Sequence, residues 1–264
     1  MTIWISLCFL YSCTGPKYLA KEFVKNDELP VILFIASPEI YTEFFRPVGF
    51  SDSLDFYKPE KIMHLLDDTL VSLLSEIYTN AISERIHARG FTLFEQDSIA
   101  HFFDNNYEKW QLQLVQLTFE EHRIVFEDEL TFTDNSVQFD TVISEYQMNV
   151  WYELIPINAD STIPNHLLFA SVSAQEIISG RFVYNQIVGE YIYKYEFFEA
   201  NINDIFSMVA GASVSHANYL YDFFLNRYLY FNGNTHNNKI KQYYRYDIFR
   251  NKIIPALSNR FVFL

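Results

Sequence analysis

The chain has 264 residues, half of them apolar and 18% aromatic, with 26 Phe and 19 Tyr but only 7 Gly and 8 Pro. That length can bury a full core, and the composition excludes collagen-like and low-complexity chains. A net charge of −14 excludes a dedicated nucleic-acid binder, which needs a surplus of Lys and Arg on some face. The charge is uneven: residues 234–264 carry six basic residues against the single acid Asp247, which reads as a basic, aromatic tail folding back on an acidic body.

Residues 3–12 form an apolar run too short to span a bilayer but long enough for the core of a signal peptide. It ends in Leu10-Tyr11-Ser12-Cys13, and no cysteine follows Cys13, so no disulfide or thiolate site is expected in the body of the protein. An aliphatic residue at −3 and a small residue at −1 before cysteine resembles the lipobox of bacterial lipoproteins. The resemblance implies a leader over residues 1–12 and a mature chain that begins at Cys13. It further implies acyl chains of the palmitate type on that residue. Several acyl chains on one residue give stable anchoring where a single chain is marginal. Residues 13–28, broken at Gly15-Pro16 and rich in lysine, read as a tether. The segment after Cys13 lacks the acidic cluster that would resemble the surface-export signals of Bacteroidota lipoproteins, and the resemblance therefore implies the periplasmic side of an outer membrane.

Residues 29–264 read as one domain. VILFIA (31–36), bounded by Pro30 and Pro38, predicts a buried strand, and residues 39–58 predict loop. From about 60 to 89, Ile62, Leu66, Leu70, Leu73, Ile77 and Ile82 recur at helical spacing. Arg85, His87 and Arg89 then sit in the last turn, and Gly90 follows as a stop. FTLF (91–94) predicts a strand and Ser98–Asn105 a short helix. In WQLQLVQLTFEEH (110–122) the alternation slips by one residue at Val115, the signature of a β-bulge. DTVISEYQMNVWYEL (140–154) alternates throughout, with Tyr146, Met148, Val150, Tyr152 and Leu154 on one face, as in an antiparallel strand with one wet face. Further strands are expected at 166–173, 181–188 and 190–198, the last two turning tightly at Gly189.

A second long helix is expected over 203–230, capped at Asn203, with Gly211 marking a close packing contact. An edge strand or hairpin is expected in the tail. The fold class is α+β, a mixed, largely antiparallel sheet packed by two long helices. This order, through ARGFTLF, WQLQLVQLTFEE and NVWYEL to YLYDFFLNRYLYF (219–231), resembles uncharacterised Bacteroidota envelope lipoproteins. It is distantly similar to periplasmic lipoproteins of the curli-secretion and transport-auxiliary kind. The resemblance supplies no catalytic residues.

Candidate chemistry is sparse. No two of the seven histidines lie three or four apart, and no P-loop or GxGxxG segment occurs, so no metal or nucleotide cofactor is expected. Within Glu120-Glu121-His122 only Glu120 and His122 can converge on a strand. Ser213 and His216 lack a nucleophile elbow around them, and His216 lies on the apolar stripe as a core histidine. Asp67-Asp68 lies on the polar side of its helix. One feature points toward binding: Trp151 with Tyr191, Tyr193, Tyr195 and Phe197 places rings on neighbouring strands, the last four sharing one face. If exposed, they form a platform for a protein or glycan partner. The favoured expectation is that the 203–230 helix covers them as core. The leading function is a lipid-anchored envelope protein that binds or assembles rather than catalyses. The alternatives are an envelope hydrolase built from dispersed carboxylates and histidines, and a soluble periplasmic ligand binder.

Overall fold

The computed structural model describes residues 16–25, 29–45, 68–132, 135–157, 164–187, 189–233, 242–247, 249–258 and 261–263. The proposed leader, Cys13 and the first residues of the long helix expected from 60 lie outside them.

Helix α1 (Pro16–Lys25) occupies the segment expected to be a tether. Pro16 opens it, a position where its fixed φ suits a helix and its missing N–H costs nothing. Ala20 and Phe23 face inward and are buried, with the Phe23 ring 5.4 Å from those of Tyr221 and Tyr228. Part of the expected tether is therefore packed structure.

Strand β1 (Val31–Phe45) runs well beyond VILFIA and takes in residues expected to be loop. Its pairing with β3 (Lys109–Phe132) shifts between Ala36 and Glu39. Pro38, read as a strand terminator, sits in this irregularity, one of the few places where a strand tolerates proline. Helix α2 (Asp68–Ala88) ends as expected at Gly90, whose N–H donates to His87 O and whose φ of 90° suits only glycine without strain. Strand β2 (Thr92–Phe94) then pairs parallel to β1, and the short helix α3 (Ile99–Phe103) follows a 3₁₀ turn.

β3 and β4 (Asn135–Pro156) form an antiparallel hairpin of 24 and 22 residues. At about 3.3 Å per residue it reaches roughly 75 Å. The register slips between Leu114 and Gln116, so Val115 is the bulge residue that the sequence pattern marks. β4 pairs on its other side with β5 (His166–Gln175), and β5 with β10 (Val262–Phe263). The main sheet thus has the order β10-β5-β4-β3-β1-β2, antiparallel except where β1 meets β2 and β3. This is a single α+β domain, as the sequence indicates.

One face of the sheet buries Leu112, Leu114, Leu117, Phe119, Tyr146, Met148, Val150, Tyr152 and Leu154 beneath the helices. The 32-residue helix α4 (Ile202–Gly233) packs against α2, α1, β5 and the tail hairpin formed by β8 (Tyr243–Asp247) and β9 (Lys252–Ala256). The helix cap differs from expectation. Asn201 accepts the Asn203 N–H at 2.9 Å, and Asp204 accepts the Asn201 N–H at 2.8 Å, a reciprocal capping box that places the cap two residues before Asn203. Gly211 has nothing within 4 Å of where a Cβ would stand, so it marks no close contact. On the other face of the sheet, α3 brings Phe102 against Val31 and Leu33 in a smaller cluster.

The pairing partners fall away at one end. Among the described residues, β1 pairs as far as Phe45 opposite His122, and β5 as far as Gln175 opposite Glu145. Residues 123–132 of β3 and 135–144 of β4 continue as a two-stranded arm among the described residues. The chain then passes from β5 through Glu176 into a separate ribbon, β6 (Ile177–Asn185) with β7 (Glu190–Phe198).

Candidate functional site

The β6–β7 ribbon places the expected aromatic residues together, but not where the favoured expectation put them. Strand alternation puts Tyr191, Tyr193, Tyr195 and Phe197 on one face, and the register sets Tyr184, Phe182, Gly180 and Ile178 opposite them. The rings interlock edge to face: Tyr184 with Tyr191 at 5.2 Å, Phe182 with Tyr193 at 5.0 Å and Tyr193 with Tyr195 at 5.1 Å. The α4 helix does not cover this face. Tyr191 is 70% exposed and Tyr184 51%, while Phe182 and Phe197 are also exposed. The helix instead spends its apolar stripe on the main sheet, α2 and α1, which lie on the far side of the Glu176 corner.

Gly180 has a local reason. The Tyr193 ring lies over it, in the space a Cβ would need. A glycine in a strand opposite and diagonal to aromatics lets the ring fold across the backbone.

Trp151 does not join this set. It lies on β4 in the main sheet, half-buried, with its ring 4.9 Å from Phe169. It belongs to the sheet face opposite the helices, where a polar ladder runs alongside. Gln147 donates to Asn149 at 2.8 Å, Asn149 donates to Glu120, and Glu120 Oε2 meets His122 Nε2 at 2.8 Å. Glu120 and His122 do converge, as strand geometry requires. Phe45 stacks on the His122 ring at 4.6 Å, and Asn149 and Thr118 are buried. The ladder is a half-buried hydrogen-bonded row.

A buried polar cluster that no sequence motif marks lies at the root of the ribbon. Glu121 is fully buried, with Arg123 Nε 3.1 Å from its carboxylate, and Tyr146 stands opposite it across the strands. Burial, with a contribution from Glu121 and Glu176, raises the Tyr146 hydroxyl to about 12, so it stays protonated. Glu176 is also buried and accepts the Ser144 N–H at 2.9 Å. The signal was present in the sequence, because Glu121 follows Phe119 on the apolar phase of β3.

His216 is the core histidine that its helical position indicates. It is fully buried, with Nδ1 2.5 Å from the Tyr78 hydroxyl, which also contacts the Tyr152 hydroxyl. Burial lowers its pKa to about 3 and raises both tyrosines. Ser213 donates to Ala210 O at 2.7 Å within its own helix. Asp67 lies outside the described residues. A polar cleft of about 580 Å³ between α2 and the 3₁₀ turn is lined by Glu84, Glu95 and Asp97, and no histidine lines it. Among the described residues no group of three His, Cys, Asp or Glu side chains could hold a metal ion. No described helix is long and apolar enough to cross a membrane. No protein-family model matches the chain, and no curated protein matches it in sequence.

Proposed function

We propose that this chain is a lipid-anchored protein of the bacterial cell envelope, held to the periplasmic face of an outer membrane, that docks a protein partner on the β6–β7 ribbon. The observation that carries the docking claim is the exposure of Tyr184 and Tyr191 on an aromatic face that the α4 helix leaves open. A two-stranded ribbon is marginal alone in water, and contiguous exposed aromatic patches mark interaction surfaces. The edge-to-face rings favour a protein over a glycan, because a sugar ring stacks best on a flat, open aromatic plane. Anchoring rests on the lipobox-like Leu10-Tyr11-Ser12-Cys13.

The test is a full-length chain with a photoreactive phenylalanine analogue at Tyr191, irradiated in intact cells. The expected result is one discrete adduct, resolved to a single envelope protein. It is absent when the analogue replaces Lys194 on the opposite face. Equal adducts from both positions, or none from Tyr191, contradict the docking claim.

A further inference from the structure

A second surface lies at the other end of the described chain, and it is basic on an otherwise acidic protein. Lys17, Lys21 and Lys25 of α1 recur every four residues, within about 80° of arc at 100° per residue. The opposite side of the helix buries Ala20 and Phe23. Because α1 docks on α4 through that side, its lysine face is turned outward beside the tail hairpin. There Lys252 of β9 joins it, and the four lysines border one cleft of about 760 Å³, with Val24, Tyr246, Asn251 and Ile253 completing the lining. None of the four forms an ion pair among the described residues. Among the described residues, three nearby acids are engaged elsewhere: Glu22 is hydrogen-bonded to Tyr18, Asp222 accepts the Tyr246 N–H at 2.9 Å, and Asp247 pairs with Arg250 at 3.8 Å.

We infer that this cleft is a docking surface for anionic phospholipid headgroups of the bilayer that holds the anchor. The inference rests on the reading of Cys13 as the lipidated residue. Three peptide links separate Cys13 from Pro16 and cannot span more than about 11 Å. The first turn of α1 is therefore held within roughly one Debye length, about 8–10 Å at physiological salt, of the headgroups. From Lys17 to Lys25 the helix rises about 12 Å more, so the whole row of lysines comes within range of an anionic surface potential when α1 lies along the membrane surface. The chain as a whole carries −14, so such a surface repels the rest of the body. Attraction at one face and repulsion elsewhere fix an orientation: α1 and the tail hairpin toward the membrane.

Each lysine close to an anionic bilayer strengthens binding by about fivefold. The test uses the full chain with Cys13→Ser, which removes the acylation site, and vesicles of phosphatidylcholine with or without phosphatidylglycerol. Partitioning at low salt is expected to be at least about tenfold stronger onto the anionic vesicles and to fall steeply in 0.5 M salt. The combined Lys17→Gln, Lys21→Gln, Lys25→Gln and Lys252→Gln variant loses that preference. The four corresponding Lys→Arg changes keep it, and Lys194→Gln on the distant ribbon leaves it unchanged. Equal partitioning onto both vesicle types overturns the inference, as does undiminished binding by the four-glutamine variant. Displacement by inorganic phosphate at matched ionic strength also overturns it, by marking a small-anion site. Acyl mass on Cys13 of the unmodified chain is measured separately. Its absence refutes the anchor, while the vesicle result reports on the lysine cleft.

Discussion

Glu176 and Ser144 are joined twice: the Glu176 carboxylate accepts the Ser144 N–H at 2.9 Å, and the Glu176 N–H donates to Ser144 O at 3.0 Å. This double link extends the β4–β5 pairing by one residue and ends it, so the chain turns from the main sheet into the β6–β7 ribbon at a fixed point. Glu176→Ala removes a charge-assisted hydrogen bond from a buried site and is expected to cost about 2 kcal/mol. Hydrogen exchange is expected to accelerate in β6 and β7 more than in β3. Unchanged protection in the ribbon means that the corner is held by other contacts.

Gly180 gives the ribbon a second test. A Cβ there meets the Tyr193 ring, which is half-exposed at the protein surface. Gly180→Ala is expected to change global stability by less than about 1 kcal/mol while unseating the ring, because a surface side chain can yield where a core cannot. The readout is loss of the Phe182–Tyr193 cross-strand contact in nuclear Overhauser spectra. A retained contact contradicts the packing described for Tyr193.

His216 sets a pH dependence. Its folded pKa is about 3, below the usual 6.5, so the unfolded chain binds the proton first. Its contribution to stability is complete above about pH 6.5 and is lost as pH falls toward 3. By pH 4 the loss reaches roughly 3 kcal/mol, at 1.36 kcal/mol per unit. His216→Phe removes the titration and keeps an apolar ring among Tyr219 and Phe261. Denaturant titrations at pH 7 and pH 4 are expected to show the unmodified chain losing about that much more than the variant. Parallel losses in the two proteins contradict a neutral, buried His216.

Phe23 tests whether α1 is part of the domain. It is buried between Tyr221 and Tyr228, and Phe23→Ala leaves a cavity there. The expected cost is about 3 kcal/mol, read as a lower denaturation midpoint with an unchanged slope. A loose tether predicts no effect.

The antiparallel part of the fold was legible because each strand with one covered face alternates strictly. Even the Val115 bulge announced itself as a phase slip. What stayed hidden has physical reasons. Pro38 looks like a strand end because a proline removes one ladder hydrogen bond, yet a bulge absorbs that loss and β1 continues to Phe45. Gly15-Pro16 looks like a break, although proline is also a favoured first helical residue, and Ala20 with Phe23 supplies only a short apolar stripe. Asn201, not Asn203, caps α4, because Asp204 three residues on completes the box. The exposed ring face of β7 could not be read from alternation, which says that residues share a face but not what covers it. His216 was legible as core from its stripe. Glu121 was legible as an acid on the apolar phase of β3, but Glu176 was not, because it lies between β5 and β6 and reaches β4 only at the corner.

The most direct test of the account is the intact mass and amino-terminal sequence of the protein extracted with detergent from its own envelope. The expected protein begins at Cys13, carries acyl mass on that residue and lacks residues 1–12. A protein that retains residues 1–12, or whose Cys13 is unacylated, contradicts it.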